Sequence, residues 1–327
     1  MKYLSFYSIG LLLLIISCQG TDSNEKQVIK NDTLNINANT VSAEETDSSW
    51  RSIDTLLDIG NHKLHFKIYK GKGIPILFEN GAGDDCSVWD TILKPIWEIT
   101  GATLITYDRA GFGSSTIDTS DTDVSGHGVL SGLNDLETSL QMLGYDKEIM
   151  LVSHSYGGYY TALYANKHPS LVKSIVLLDV NHNFYEGTAE QEMKEHERET
   201  MEWKKKNIAF YYMAVNLAAT SELMKNVSIP KNIPVVDFID GISFLETKEK
   251  IDRWKKCHRD FVQSHPESIG ITAIGCEHYI WFDNPSLVVS SIAKSYAETR
   301  DEKQKTGIYS KLLDYAIMQD NYANAKK

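Results

Sequence analysis

Four short, nearly unbroken apolar runs, at 74–79, 103–107, 149–153 and 172–178, constrain the fold of this chain more than any other feature. A strand with one wet face alternates polar and apolar residues; a strand covered on both faces does not. Helical stretches lie between the runs, notably 132–143, where Leu133, Leu136, Leu140 and Leu143 share one face. Strands alternating with helices make a mostly parallel central sheet with helices on both sides, an α/β fold. Before it, 53–59 and 63–69 read as a hairpin turning at Gly60-Asn61. After Asp179 the alternation stops. Residues from about 183 to 228 are helical and contain no strand candidate, so they form a helical cap insertion. The sheet pattern resumes at 234–239, with a helix at 248–263, a last strand at 269–274 and a helix at 284–296. A final helix from 301 onward has no assigned role.

The N-terminal part obeys other rules. Lys2 precedes an apolar run that ends at Ser17-Cys18. So short a run, closed by a small residue, is a secretion signal and not a spanning helix. Ile15-Ile16-Ser17-Cys18 resembles the bacterial lipobox, which implies lipidation of Cys18. Residues 1–17 are then a lipoprotein signal peptide, and 18–50, rich in Asn, Asp, Ser, Thr and Glu, are a flexible tether to a domain at 51–327. The expected location is the cell envelope, lipid-anchored to a bacterial membrane and facing away from the cytoplasm. The net charge of −11, with no basic stripe, excludes nucleic acid as a partner. No obligate protein partner is expected.

Cys86, Cys257 and Cys276 remain, and their spacing suggests no metal site. Outside the cytoplasm one disulfide is expected, with Cys257–Cys276 as the pair.

The chemistry centres on Leu151-Val152-Ser153-His154-Ser155-Tyr156-Gly157-Gly158. A nucleophile between a strand end and a helix start needs a sharp, strained turn, with small residues two before and two after it. Ser153 and Gly157 hold those places around Ser155, and a helix follows at 159–166. At a helix start, backbone N–H groups and the helix dipole favour an incoming negative charge. The Tyr156 amide is therefore one expected oxyanion donor. The loop Glu79-Asn80-Gly81-Ala82-Gly83 supplies the second, the Ala82 amide. Among ten histidines, His278 stands out: it lies in a loop just past the last strand, on the sheet edge expected to carry Ser155. His62, His65, His168, His196 and His258 have ordinary places on a hairpin or on helices. The acid is Asp179, after the strand that follows the nucleophile helix, or Asp240, after the next strand. Asp179 is the choice, to hold the imidazole tautomer and stabilise the imidazolium.

These motifs resemble the α/β-hydrolase superfamily, specifically the group called alpha/beta hydrolase fold-1, over residues 60–298. Asp108-Arg109-Ala110-Gly111-Phe112-Gly113-Ser114 is similar to that group's Asp-Arg-x-Gly-x-Gly-x-Ser block. His278-Tyr279-Ile280 with Asp283-Asn284-Pro285 and Val288-Val289 resembles its histidine block. Asn80-Gly81 departs from the usual His-Gly. The acid common after the later strand is missing, and members with that gap place it where Asp179 stands. Serine at 155 separates the chain from the related haloalkane dehalogenases, whose nucleophile is aspartate.

The resemblance implies a serine hydrolase acting on a small-molecule ester through an acyl-enzyme, with no metal or organic cofactor. An aminopeptidase-like amide hydrolase is the alternative, and Phe210–Tyr212 in the cap could line an acyl pocket or simply pack. A ligand-binding protein that kept the fold without turnover is the rival from another class.

Overall fold

Strands β1 (Ser52–Asp58) and β2 (Lys63–Tyr69) pair antiparallel along their whole length, Ser52 opposite Tyr69 and Asp58 opposite Lys63. The turn between them is four residues long, not two, and closes with Ile59 N–H donating to the His62 carbonyl at 3.1 Å. The structure, a computed structural model, describes residues 50–325. The expected signal peptide, Cys18 and all but the last residue of the expected tether lie outside the described residues. No described helix is long and apolar enough to cross a membrane.

Six more strands complete one sheet: β3 (Ile76–Glu79), β4 (Leu104–Tyr107), β5 (Ile149–His154), β6 (Val172–Leu178), β7 (Val235–Asp240) and β8 (Ser268–Ala273). Their order is β1-β2-β4-β3-β5-β6-β7-β8, antiparallel up to the β2–β4 pair and parallel in every pair after it. The register aligns the carboxyl ends, with Glu79 beside Ser153, His154 beside Leu178 and Asp240 beside Ala273. In open α/β sheets that rim is where ligands bind.

Each strand feeds two cores, because successive side chains leave opposite faces. Ile76, Phe78, Met150, Val152, Val176 and Leu178 pack on one side, against α1 (Asp90–Thr100), the short α9 (Ile280–Asp283), α10 (Pro285–Ala297) and α11 (Glu302–Ala325). Leu77, Leu151, Ile175 and Leu177 pack on the other, against α2 (Val129–Leu143) and α3 (Gly157–Lys167). This double burial is why the runs carry no alternation. The terminal helix α11, without a role in the sequence pattern, anchors Ile308 and Leu312 in the first core.

Four helices fill the interval between β6 and β7: α4 (Ala189–Glu195), α5 (Glu197–Lys206), α6 (Ile208–Val215) and α7 (Leu217–Met224). α6 seats on the body through Ala209 and Phe210, which cluster with Phe112. Helix α8 (Lys248–Ser264) follows β7.

The expected disulfide does not form: Cys86, Cys257 and Cys276 are all free thiols. Cys276 is buried in the first core, whereas Cys257 lies on α8 near Arg253 and Lys256. One is committed to apolar packing and the other to a charged helix face.

Candidate active site

β5 is buried throughout and ends at Ser155, whose φ of +51° is left-handed for a residue with a Cβ. Such a conformation is strained and persists only where the surroundings enforce it. The Ser155 N–H donates to the Leu178 carbonyl at 3.3 Å, and the Asn181 N–H donates to the Ser155 carbonyl at 3.0 Å. The turn is thus stitched to the end of β6. A Cβ on Gly157 would lie 2.7 Å from the carbonyl oxygens of both Glu79 and Asn80. Glycine there lets the start of α3 touch the loop after β3. Ser153 is wholly buried, and its hydroxyl has no hydrogen-bond partner.

That loop is held from behind. Arg109, buried, donates Nη1–H to the Asn80 carbonyl at 2.7 Å and Nη2–H to the Gly81 carbonyl. In a trans peptide the N–H opposes the C=O. The two held carbonyls therefore aim the Gly81 and Ala82 amides away from Arg109. Neither the Ala82 nor the Tyr156 amide donates a backbone hydrogen bond among the described residues. The Asn80 side chain fixes the loop further, donating to the Tyr107 carbonyl and accepting from Trp89 Nε1, each at 2.7 Å. Glu79 lies 3.6 Å from Arg109 and accepts from the Tyr107 hydroxyl at 2.8 Å; burial still pushes its carboxyl up to about 7.

His278 lies past β8, at the same rim. Its Nδ1 is 2.7 Å from Asp179 Oδ2. Its carbonyl accepts from Nε2 of His154, the residue preceding Ser155, at 3.2 Å. Phe244 packs on the imidazole with ring centroids 4.0 Å apart. Asp179 is wholly buried and has a φ of +49°, a second strained residue at the rim. Its Oδ1 accepts from Trp254 Nε1 at 2.8 Å and from the Asp240 N–H at 3.1 Å. Burial pushes the Asp179 carboxyl up. The hydrogen bond and charge of His278, the charge of His258 and the Trp254 donor outweigh it and hold the carboxyl below its usual range.

Asp240, the other acid weighed from sequence, has a different place. Its backbone amide serves Asp179, its Oδ2 accepts from the Phe244 N–H at 3.3 Å, and its Oδ1 is buried without a partner. Burial and the Asp179 charge raise its carboxyl to about 6. His278 is bonded to Asp179.

Two groups of metal-ligand type occur among the described residues, and both are already hydrogen-bonded internally. In the first, His65 Nδ1 pairs with Asp108 Oδ2 at 2.8 Å, and Asp108 also accepts from the Cys86 and Ser114 amides. Burial pushes the Cys86 thiol far up, so it is no nucleophile. In the second, Asp237 bridges His182 Nε2 at 2.9 Å and His258 Nδ1 at 2.8 Å. Both read as polar ties inside the fold.

The structure brings Ser155, Tyr156, Ala82, Asp179 and His278 to one rim. Sequence reasoning passed over Arg109 as a clamp, and Trp254, His258 and Asp237 behind Asp179. The signal was present: Asp237 is a charge inside a buried strand, and Trp254 and His258 are four apart on one helix face. Of the cap aromatics, Phe210 is packed against Trp203 and Phe112, while Tyr212 stacks on His127. Tyr212 also lines a cavity of about 420 Å³ whose lining includes Tyr107, Phe112, Tyr156 and Tyr160, the carboxylates Asp118, Asp121 and Asp135, and Arg109 and His62.

A family model described as alpha/beta hydrolase fold matches residues 74–203, which includes Ser155 and Asp179 and stops short of His278. An uncharacterized protein of Bacillus subtilis (strain 168), YqjL, is 27% identical over 258 residues, covering 74% of this chain and 90% of that protein. Among solved structures, an epoxide hydrolase mutant of Vigna radiata is similar at 15% identity with a TM-score of 0.58, over 76% of this chain and 99% of that one. A carboxylesterase of the thaumarchaeon Nitrososphaera gargenis is similar at 14% identity with a TM-score of 0.57, over 75% and 98%. A thioesterase domain from the curacin biosynthetic pathway is similar at 14% identity with a TM-score of 0.52, over 74% and 99%.

Proposed function

From the α/β-hydrolase fold that this chain adopts, we propose a serine hydrolase that cleaves the ester of a small or medium acyl group through an acyl-enzyme. The observation that carries this reading is the strained Ser155 at a strand–helix turn, next in sequence to His154, whose Nε2 is 3.2 Å from the carbonyl of His278, itself bonded through Nδ1 to a buried carboxylate at 2.7 Å.

His278 Nε2 takes the Ser155 hydroxyl proton as Oγ attacks the carbonyl carbon. The carbonyl π pair moves onto oxygen, where the Tyr156 and Ala82 amides receive the charge. As the intermediate collapses, the bond to the alcohol breaks and His278 returns the proton to the leaving oxygen. Water then repeats the sequence and releases the acid. Asp179 holds Nδ1–H throughout, so that Nε2 is the free lone pair.

A second reading, an amide or ester of an amino acid, draws on the acidic residues that line the cavity beside Tyr156. Three carboxylates and several aromatic rings in one lining suit a substrate ammonium group. Short-chain p-nitrophenyl esters and aminoacyl p-nitroanilides tested side by side separate the two.

The decisive experiment treats the pure protein with a fluorophosphonate and maps the adduct by mass spectrometry. The expected product is a single adduct on Ser155, absent in Ser155→Ala. No adduct, or an undiminished one in that variant, defeats the nucleophile. The same proposal places the enzyme at the cell envelope, anchored through lipid on Cys18.

A further inference from the structure

From His278 through Asp179, imidazoles and carboxylates alternate: His278, Asp179, His258, Asp237, His182. His258 Nδ1 is 2.8 Å from Asp237 Oδ2, and His258 Nε2 is 3.7 Å from Asp179 Oδ1. Nε2 is buried and has no hydrogen-bond partner. The residue is only 4% exposed.

The geometry fixes the protons on this ring. A carboxylate accepts only, so Nδ1 beside Asp237 carries hydrogen. A bare Nε2 lone pair would face a second carboxylate oxygen, which is repulsive, and Nε2 carries hydrogen as well. The charge balance agrees. Asp179, Asp237 and Asp240 are each no more than 2% exposed. Buried carboxylates persist as anions only beside a positive charge. The groups facing His258 are Asp237 and Asp240 from β7, Asp179 and His182 from the segment after β6, and Trp254 one turn earlier on α8.

We infer that His258 is a positioning residue of the active site: a buried imidazolium, anchored by Asp237, whose charge keeps Asp179 ionised and extends turnover to lower pH. The inference rests on the serine-hydrolase reading. Burial lowers the proton affinity of His258, but Asp237, Asp179 and Asp240 outweigh it and leave it raised. His182, on the far side of Asp237, is left lowered by burial. The effect of the His258 charge on the base follows from sign. A positive charge beside Asp179 disfavours its protonation, so the anion that holds His278 survives to lower pH. Removing the charge raises the pH at which acylation switches on.

Two arms test this. In the first, nitrogen-15 NMR of the histidines follows His258 without any catalysis. In the wild-type protein both of its nitrogens are expected to carry protons at pH 7. In Asp179→Asn and Asp237→Asn its titration midpoint is expected to fall by about one unit or more. A singly protonated His258 at pH 7, or a midpoint indifferent to both substitutions, overturns the inference. In the second, the pH dependence of fluorophosphonate labelling at Ser155 is compared between wild type and His258→Gln. The acid limb is expected to move up by about one unit; an unmoved limb overturns the inference even if the rate falls, since a merely structural role would lower the rate at every pH. Failure of wild-type Ser155 to label would instead defeat the hydrolase reading, and the NMR arm would still decide the state of His258.

Discussion

Replacing Asp179 with asparagine should nearly abolish turnover, and the hydrogen bonds around it say why. Asp179 Oδ1 accepts from Trp254 Nε1 at 2.8 Å and from the Asp240 N–H at 3.1 Å, while Oδ2 faces His278 Nδ1 at 2.7 Å. An asparagine must keep its one oxygen on the two N–H donors, because its NH₂ cannot accept from them. The NH₂ then faces His278 and demands a bare Nδ1. The imidazole takes the other tautomer, with hydrogen on Nε2, and can no longer accept the Ser155 proton. An inverted tautomer costs about 10⁴-fold in kcat, equivalent to ~5 kcal/mol of barrier. Asp240→Asn should behave oppositely, since its Oδ1 has no partner to lose and its Oδ2 can still accept from Phe244 N–H. That variant should keep turnover within about tenfold. The assay is burst and steady-state hydrolysis of p-nitrophenyl butyrate, with circular dichroism to verify folding. If Asp179→Asn retains activity within tenfold of wild type, or if Asp240→Asn loses as much as Asp179→Asn, the reasoning is refuted.

Arg109→Met should release the Asn80 and Gly81 carbonyls and strand Glu79. We expect kcat to fall about 10²–10³-fold, the cost of one oxyanion donor, and urea unfolding to show a loss of about 3 kcal/mol. Asp240→Asn should raise stability at pH 7 by about 1–2 kcal/mol and not at pH 3. The folded carboxyl ionises near 6 and the unfolded one near its ordinary 3.8, so its cost is absent below 3.8, grows as pH rises and is complete above about 6. Thermal melts at the two pH values measure this, and equal gains at both would contradict it. Cys18→Ala should abolish incorporation of labelled palmitate and move the protein from the membrane to the soluble fraction; retained label would remove the proposed anchor.

The sheet and the elbow were legible in the sequence because local rules govern them. A strand buried on both faces has to be apolar at every position, and β5 and β6 have no exposed residue in them. The strained turn after β5 needs small neighbours, and Gly157 is one because two carbonyl oxygens occupy the space of its Cβ. Where geometry was non-local, the pattern misled or stayed silent. Cys257 and Cys276, the pair expected to form a bridge, lie in different environments. His258 looked like any helix histidine until α8 was laid against β7.

By itself the sequence determined the α/β layering and the strand–helix turn at Ser155, since period and turn chemistry are properties of consecutive residues. The tertiary structure alone decided which carboxylate meets His278, because Asp179 and Asp240 end neighbouring strands and only packing tells them apart. The backbone amide of Asp240 and the indole of Trp254 hold Asp179 in line with the imidazole, and Asp240 is left with its Oδ1 buried and without a donor. That assignment depends on donors brought together from three separate segments of chain, and no spacing along one of them encodes it.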